Sequence, residues 1–314
     1  MAHIFVMGAG GFGIALAVTA HRLGHRLTLW SPFPQEVELL NATREHQKLL
    51  TGVKIPDDIA VTTSLEEISR QDLVIVATPS SAVRQTAKRL AERINADTTV
   101  VCTSKGLEAG SYKLLCDVLG EELPGNRHVA LSGPSHAEEL ARGVPTAVVA
   151  ASRHREAAEY VQDTLGGESL RIYVSDDVLG VELGGALKNV IALAAGILDG
   201  LEAGDNTKAA LMTRGIAEIA RLGVAMGARS ETFAGLSGIG DLIVTCASMH
   251  SRNRRCGILI GQGMEPAKAV EKIGATVEGY SCAKIAWELS QKHSVAMRSE
   301  ERRVGKECRS RWSP

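Results

Sequence analysis

Residues 3–24 read HIFVMGAGGFGIALAVTAHRLG. The apolar run at 3–8 predicts a buried strand, and FGIALAVTAHRLG predicts a helix closed by Gly24 as a C-cap. Between them Gly8, Gly10 and Gly13 stand in G-x-G-x-x-G spacing. Alone, that spacing is weak. Here it ends a strand, opens a helix and is followed by a second strand, RLTLW at 26–30. In that context glycines allow a tight turn and let a pyrophosphate approach the helix N-terminus. The alternative is an incidental glycine turn.

Outward from this stretch, apolar runs recur between helical patterns: DLVIVATP at 72–79, TTVVCTSKG at 98–106, HVALSGP at 128–134, TAVVAAS at 146–152 and LRIYVS at 170–175. Strands alternating with helices predict a mostly parallel, doubly wound α/β sheet of Rossmann type over residues 1–176. Beyond 176 only helical patterns appear, separated by glycine-rich turns. An all-α substrate domain over 177–297 is expected, with a second long helix at 206–227.

The 314 residues are 45% hydrophobic and carry a formal net charge of -1, a balance that gives no basic excess for nucleic acid. The six cysteines show no C-x-x-C pair, and no His/Cys/Asp cluster has metal-ligand spacing, so no metal is expected. The N-terminus lacks the pattern of a secretory leader, and the apolar stretch at 186–198 is broken by Lys188 and Asn189. The expectation is a cytoplasmic protein without an integral membrane segment.

Several segments carry chemistry. VELGGALKNVIALAAGILDGL at 181–201 is an apolar helix with Lys188 in its middle. At helical spacing Lys188 shares a face with Gly184, Gly185, Ile191 and Ala192, none of them acidic. Either Lys188 snorkels to water, or it lines a cleft with a charge partner from elsewhere, where desolvation makes it a base. TSKGLE at 103–108 offers Lys105, and LSGPSHAEEL at 131–140 offers Gly133, Pro134 and Ser135, each just after a strand. Ligands in such sheets bind outside the carboxyl ends of strands. In LSGIGDLIVTCASMHSRNRRCG at 236–257, Asp241 follows a glycine turn, and Ser251, Arg252 and Asn253 stand at a helix start. Hydroxyl, guanidinium and amide there suit a phosphate; a solvated basic loop is the alternative. After the second strand, Ser31, Pro32 and Phe33 are neither acidic nor basic, and Glu36 and Arg44 come later, so the choice between NAD and NADP stays open.

Taken together, GAGGFGIALA, TSKGLE, LSGPSHAEE, GGALKNVIALAAGILDGL, LSGIGDLIVTC, SRNRRCG and VEGY occur in an order that resembles bacterial NAD(P)-dependent glycerol-3-phosphate dehydrogenases, over roughly residues 3 to 297. The resemblance implies interconversion of dihydroxyacetone phosphate and sn-glycerol 3-phosphate with NAD or NADP, feeding glycerophospholipid synthesis. It implies that Lys188 is the base on the C2 hydroxyl and that Asp241 orients it. It implies substrate contacts for Lys105, Gly133, Ser135, Ser251, Arg252 and Asn253. Cofactor contacts are implied for Gly8, Gly10, Gly11, Phe12, Gly13, Lys105, Ala137, Arg252, Thr276 and Glu278. A homodimer is left open.

Two departures stand out. Pro32 occupies a position where the family often has arginine, and RSEERRVGKECRSRWSP from Arg298 onward lacks the expected apolar periodicity. Residues 298–314 are therefore read as an atypical tail, either non-native sequence joined to a truncated frame or a genuine divergent end. The rival readings are a related two-domain reductase of ketopantoate or 3-hydroxyacyl type, and a dinucleotide-binding protein without catalysis.

Overall fold

The computed structural model describes residues 1–297; the tail read as atypical lies outside the described residues. The chain forms two compact units. The first comprises Met1–Ser104 and Leu115–Val178; the second comprises Lys105–Leu114 and the chain from Leu179 onward.

In the first unit the order is β1 (His3–Met7), α1 (Gly11–Arg22), β2 (Arg26–Trp30), α2 (Pro34–Thr43), β3 (Ala60–Thr62), β4 (Leu73–Val76) and α3 (Val83–Leu90). There follow β5 (Thr99–Cys102), α4 (Leu115–Glu122), β6 (Arg127–Ser132), α5 (Ala137–Ala141), β7 (Thr146–Ala151), α6 (Arg155–Leu165) and β8 (Leu170–Ser175). The strands make one eight-stranded sheet in the order β3-β2-β1-β4-β5-β6-β7-β8. Every pairing is parallel except β6 with β7. This is the doubly wound sheet expected from the alternating pattern, and each quoted apolar run supplies a strand. The three-residue edge strand β3 is the exception: it is too short to show a period.

The direction of winding reverses at β1, which pairs with β2 on one side and β4 on the other, with Met7 opposite both Trp30 and Val76. Such a switch point opens a crevice at the strand ends, and the glycine loop lies there. β1 and β4 are buried along nearly their whole length, so their residues read as continuous apolar runs.

The second unit is helical among its described residues: α7 (Val178–Gly200), α8 (Asp205–Ala225), α9 (Ser230–Ala234), a π-helical turn at Leu236–Gly240, α10 (Asp241–Ala247), α11 (Arg252–Gly261), α12 (Pro266–Ile273) and α13 (Glu278–Lys292). Leu107 and Leu114 join its core with Leu187, Ile191, Phe233 and Leu242, which explains why the short excursion 105–114 belongs to this unit. α7 starts three residues before the helix read at 181–201 and ends one residue before its end. At 23 residues it is long and apolar enough to cross a membrane by length and composition, so Lys188 and Asn189 do not break the apolar stretch as the sequence suggested. Of its most apolar window, 89% is buried inside the protein, so the apolar face is spent on the core.

Small residues let these helices touch backbone to backbone. A Cβ on Gly196 of α7 would stand 2.0 Å from the Arg254 carbonyl oxygen of α11, and one on Gly257 of α11 would stand 2.1 Å from the Leu193 oxygen. Gly200 and Gly261, one turn on, repeat the approach at 2.4 Å each. Alanine is the better helix former by about 1 kcal/mol, but a Cβ cannot fit in this crossing without moving a helix. Gly196→Ala is therefore expected to destabilise the protein by about 1–3 kcal/mol in urea unfolding. Gly120→Ala in α4, where the nearest heavy atoms lie 4.0 Å away, is expected to be neutral or to gain up to about 1 kcal/mol. Equal effects of the two substitutions would refute backbone contact as the reason for the glycines.

Candidate active site

The glycine loop is built for close backbone approach. Gly8 has φ +127°, and a Cβ there would lie 2.7 Å from the Ala77 carbonyl oxygen. A Cβ on Gly13 would lie 2.0 Å from the Gly8 oxygen, so Gly13 lets α1 sit on the turn. Gly10 has open space where a Cβ would be, and it N-caps α1 with no side-chain cap and no acidic residue in the first turn. The first N–H groups of α1 are thus offered to an anion over a cradle that a side chain at Gly10 would fill. These residues fit a dinucleotide pyrophosphate. Phe12, in the first turn of α1, packs against the sheet core. In the same unit Gly133 has φ +136° after β6, Ser135 Oγ donates to the Gly133 carbonyl at 3.0 Å, and Ala137 begins α5.

In the second unit Lys188 is 5% exposed, and its partner comes from α10. The contact depends on Gly184, one helical turn earlier on α7. A Cβ there would lie 2.4 Å from the Ser237 oxygen, so glycine lets the π-helical turn close on α7 and deliver Asp241. Lys188 Nζ donates to Asp241 Oδ1 and, at 2.7 Å, to Thr245 Oγ1. Lys105 Nζ donates to the other carboxylate oxygen, Asp241 Oδ2, at 2.9 Å. Asp241 is 1% exposed and sits between two ammonium groups.

Burial dominates the electrostatics. It drives the Lys188 pKa down to about 8; the Asp241 carboxylate pulls it back up, while Lys105 repels the charged form and lowers it. For Asp241, burial opposes ionisation, but the charges of Lys105 and Lys188 and their hydrogen bonds outweigh it and hold the carboxyl below its ordinary range. The result is a lysine that shares its proton readily near neutral pH beside a carboxylate that stays charged.

A chain of amides runs beside this cluster. Asn189 donates to the Lys105 carbonyl at 3.1 Å and accepts from Asn253 Nδ2 at 3.0 Å; Asn253 Oδ1 accepts the Gly279 N–H at 2.9 Å. The chain ties the Lys105 loop to the starts of α11 and α13, where Asn253 and Glu278 stand, with Thr276 in the preceding turn. Ser251 N-caps α11, its oxygen accepting the Arg254 N–H at 3.2 Å, and Arg252 next to it is exposed. Thr245 and Asn189 were not singled out from sequence, although both signals were present: Thr245 stands four residues after Asp241 on a helix, and Asn189 adjoins Lys188. Arg254, in the basic segment that could have been a solvated loop, clasps Asp199 of α7 at 2.7 Å.

Two family models cover nearly all of the described chain: the NAD-dependent glycerol-3-phosphate dehydrogenase N-terminus over residues 3–158, and the C-terminus of the same family over residues 177–300. The chain belongs to this family. It is 50% identical to a glycerol-3-phosphate dehydrogenase [NAD(P)+] of Fusobacterium nucleatum over 94% of its own length and 89% of the relative's. A relative of the same description from Thermoanaerobacter is 51% identical over 94% of this chain and 89% of that one. Among solved structures, glycerol-3-phosphate dehydrogenase from Coxiella burnetii matches with a TM-score of 0.91 at 36% identity, covering 96% of this chain and 92% of that one.

For a member of this family the buried cluster makes an energetic prediction. Removing Asp241 leaves two ammonium groups facing each other, whereas removing Lys188 leaves the Asp241–Lys105 pair intact. Asp241→Asn should cost about 3 kcal/mol or more in urea unfolding at pH 7, and Lys188→Met clearly less. Between pH 8 and 10.5 the folded state has released the Lys188 proton while the unfolded chain still holds it. Stability of the wild type should therefore rise by about 3 kcal/mol over that window relative to Lys188→Met. Parallel stability curves for the two proteins would refute the lowered pKa.

Proposed function

We propose that this chain interconverts dihydroxyacetone phosphate and sn-glycerol 3-phosphate with NAD(H) or NADP(H), supplying the glycerol phosphate of membrane phospholipids. The observation that carries the reading is the buried cluster in which Lys188 and Lys105 share Asp241, within a chain of this family.

Gly8, Gly10, Gly11, Phe12 and Gly13 hold the cofactor's pyrophosphate, with Ala137, Arg252, Thr276 and Glu278 as further cofactor contacts. When bound, the nicotinamide supplies the acceptor or donor for the hydride at C2. The proton is the work of Lys188. As the neutral amine it takes the proton of the C2 hydroxyl; as the ammonium it returns that proton to the ketone oxygen. Of the three ammonium hydrogens two go to Asp241 and Thr245, which leaves one for the substrate oxygen. Thr245 Oγ donates to the Asp241 carbonyl at 2.5 Å, so its lone pairs are turned to the lysine. Asp241 positions Lys188 and keeps its pKa from falling further.

One carboxylate between two lysines leaves a positive balance that favours an anionic substrate. Ser251 keeps a hydroxyl hydrogen, and Asn253 one amide hydrogen, beyond the bonds they make within the protein. These groups, with Arg252, suit the substrate phosphate, and Lys105, Gly133 and Ser135 complete the proposed substrate contacts. On this reading the protein works in the cytoplasm on small molecules rather than nucleic acid, and light scattering would test the homodimer.

The test follows absorbance of the reduced nicotinamide. Dihydroxyacetone phosphate should drive oxidation of the reduced cofactor, ketopantoate should not, and Lys188→Ala should lose about 10²- to 10⁴-fold in kcat. Oxidation of glycerol 3-phosphate should rise with pH through a limb near 8, and ketone reduction should fall through the same limb. Asp241→Asn, which removes the group holding the pKa up, should move the limb to lower pH. Turnover of ketopantoate, or full activity in Lys188→Ala, would overturn the reading; cofactor binding without turnover would favour a non-catalytic protein.

A further inference from the structure

At the end of the second strand of such a sheet, an acidic side chain meets the ribose hydroxyls of NAD, or an arginine meets the 2′-phosphate of NADP. The sequence there reads Ser31-Pro32-Phe33 and supplies neither. The fold supplies a carboxylate from five residues further on. α2 begins at Pro34, and its first turn carries Glu36. Ser31, fully buried, donates its hydroxyl to Glu36 Oε2, while its oxygen accepts the Phe33 N–H at 3.2 Å. On the other side Glu36 Oε1 lies 3.4 Å from His46 Nε2. His46 Nδ1 accepts the Leu49 N–H at 3.3 Å, which turns the Nε2–H side of the ring toward Glu36.

Both supports of Glu36 are tied to the glycine loop. The Gly8 N–H donates to the Trp30 carbonyl at the end of β2, at 2.9 Å. The turn that carries His46 leans on the same loop: the Leu49 oxygen lies 2.7 Å from where a Cβ of Gly11 would stand. The nearby cations are engaged elsewhere. Arg44 donates to the carbonyls of Ile55, Pro56 and Ile59. Lys54 pairs with Glu45, and Arg89 lies over the Trp30 ring. Lys48 is exposed on the turn.

We propose that Glu36, held by Ser31 and His46, is the ribose-recognising carboxylate of this chain and makes it prefer NAD(H) over NADP(H). The inference rests on the reading of the glycine loop as a dinucleotide site. Each Glu36 oxygen makes one of the contacts described and keeps a lone pair for a ribose hydroxyl. The His46 hydrogen bond first, and the Ser31 hydroxyl after it, hold the carboxyl below its ordinary range against the opposing effect of burial, so it is ionised at neutral pH. A 2′-phosphate would bring like charge against it, with Arg44 unable to turn toward the newcomer without abandoning three carbonyls.

The test is binding rather than turnover: fluorescence titration of the full chain with NADH and with NADPH, without substrate. The wild type should bind NADH at least about tenfold more tightly. Glu36→Gln, similar in shape but uncharged, should bring the two affinities together, weakening NADH and strengthening NADPH. Glu36→Asp, charged but too short to keep both supports, should lose NADH affinity while still rejecting NADPH. Lys48→Ala should leave the ratio unchanged. An unchanged ratio in folded Glu36→Gln, or a wild type that binds NADPH as tightly as NADH, would overturn this inference alone. Binding of neither nucleotide by the wild type would overturn it together with the dinucleotide reading.

Discussion

The helical unit is organised around one buried carboxylate with two ammonium partners. Asp241 accepts from Lys188 through one oxygen and from Lys105 through the other, and both Asp241 and Lys188 are almost fully shielded from water. Burying Asp241 and Lys188 is costly, and either of them left without a partner would cost several kcal/mol. The cluster therefore constrains everything that delivers its members. α7 must present Lys188 inward, the π-helical turn must bring α10 close, and the short excursion at 105–114 must pack into the helical core. Gly184 is where those demands meet, because a side chain there would hold the turn away from the helix.

The cost has a functional return. Burial pushes Lys188 toward the neutral amine, and the carboxylate pulls it back toward the ammonium. Burial outweighs the pull of the carboxylate, Lys105 adds a further repulsion, and the outcome is a pKa of about 8. A group so balanced can give or take a proton in a reversible reaction. Asn189 and Asn253 extend the order of the cluster through a hydrogen-bonded chain, so neighbouring elements are fixed without adding charge. The same economy appears in the first unit, where Ser31 and His46 hold a carboxylate at a strand end that has no acidic residue of its own.

Much of the architecture was legible in the chain itself. The strands could be read because parallel strands buried on both faces are continuous apolar runs, and the glycine loop because only glycine fits where Gly8 and Gly13 stand. β3 escaped notice because three residues carry no period. α7 was read close to its true length, but Lys188 and Asn189 looked like interruptions of its apolar stretch; both turn out to be internal polar groups with partners. The basic segment around Arg254 could be read as a solvated loop because the partner of Arg254, Asp199, is 55 residues away.

By itself the sequence determined the doubly wound sheet, the change to helices after residue 176, and which residue types were available for chemistry. Those follow from local periodicity and from spacing within a few residues. It left open whether Lys188 faced water or a partner, and whether the end of β2 carried a charge. Only the tertiary structure decided these, because the deciding contacts join residues far apart in the chain or across a turn. Asp241 lies 53 positions from Lys188 and 136 from Lys105. Glu36 reaches back over the Pro34 turn to Ser31. The energy of such contacts depends on distance and burial, and no pattern along a single chain encodes either one.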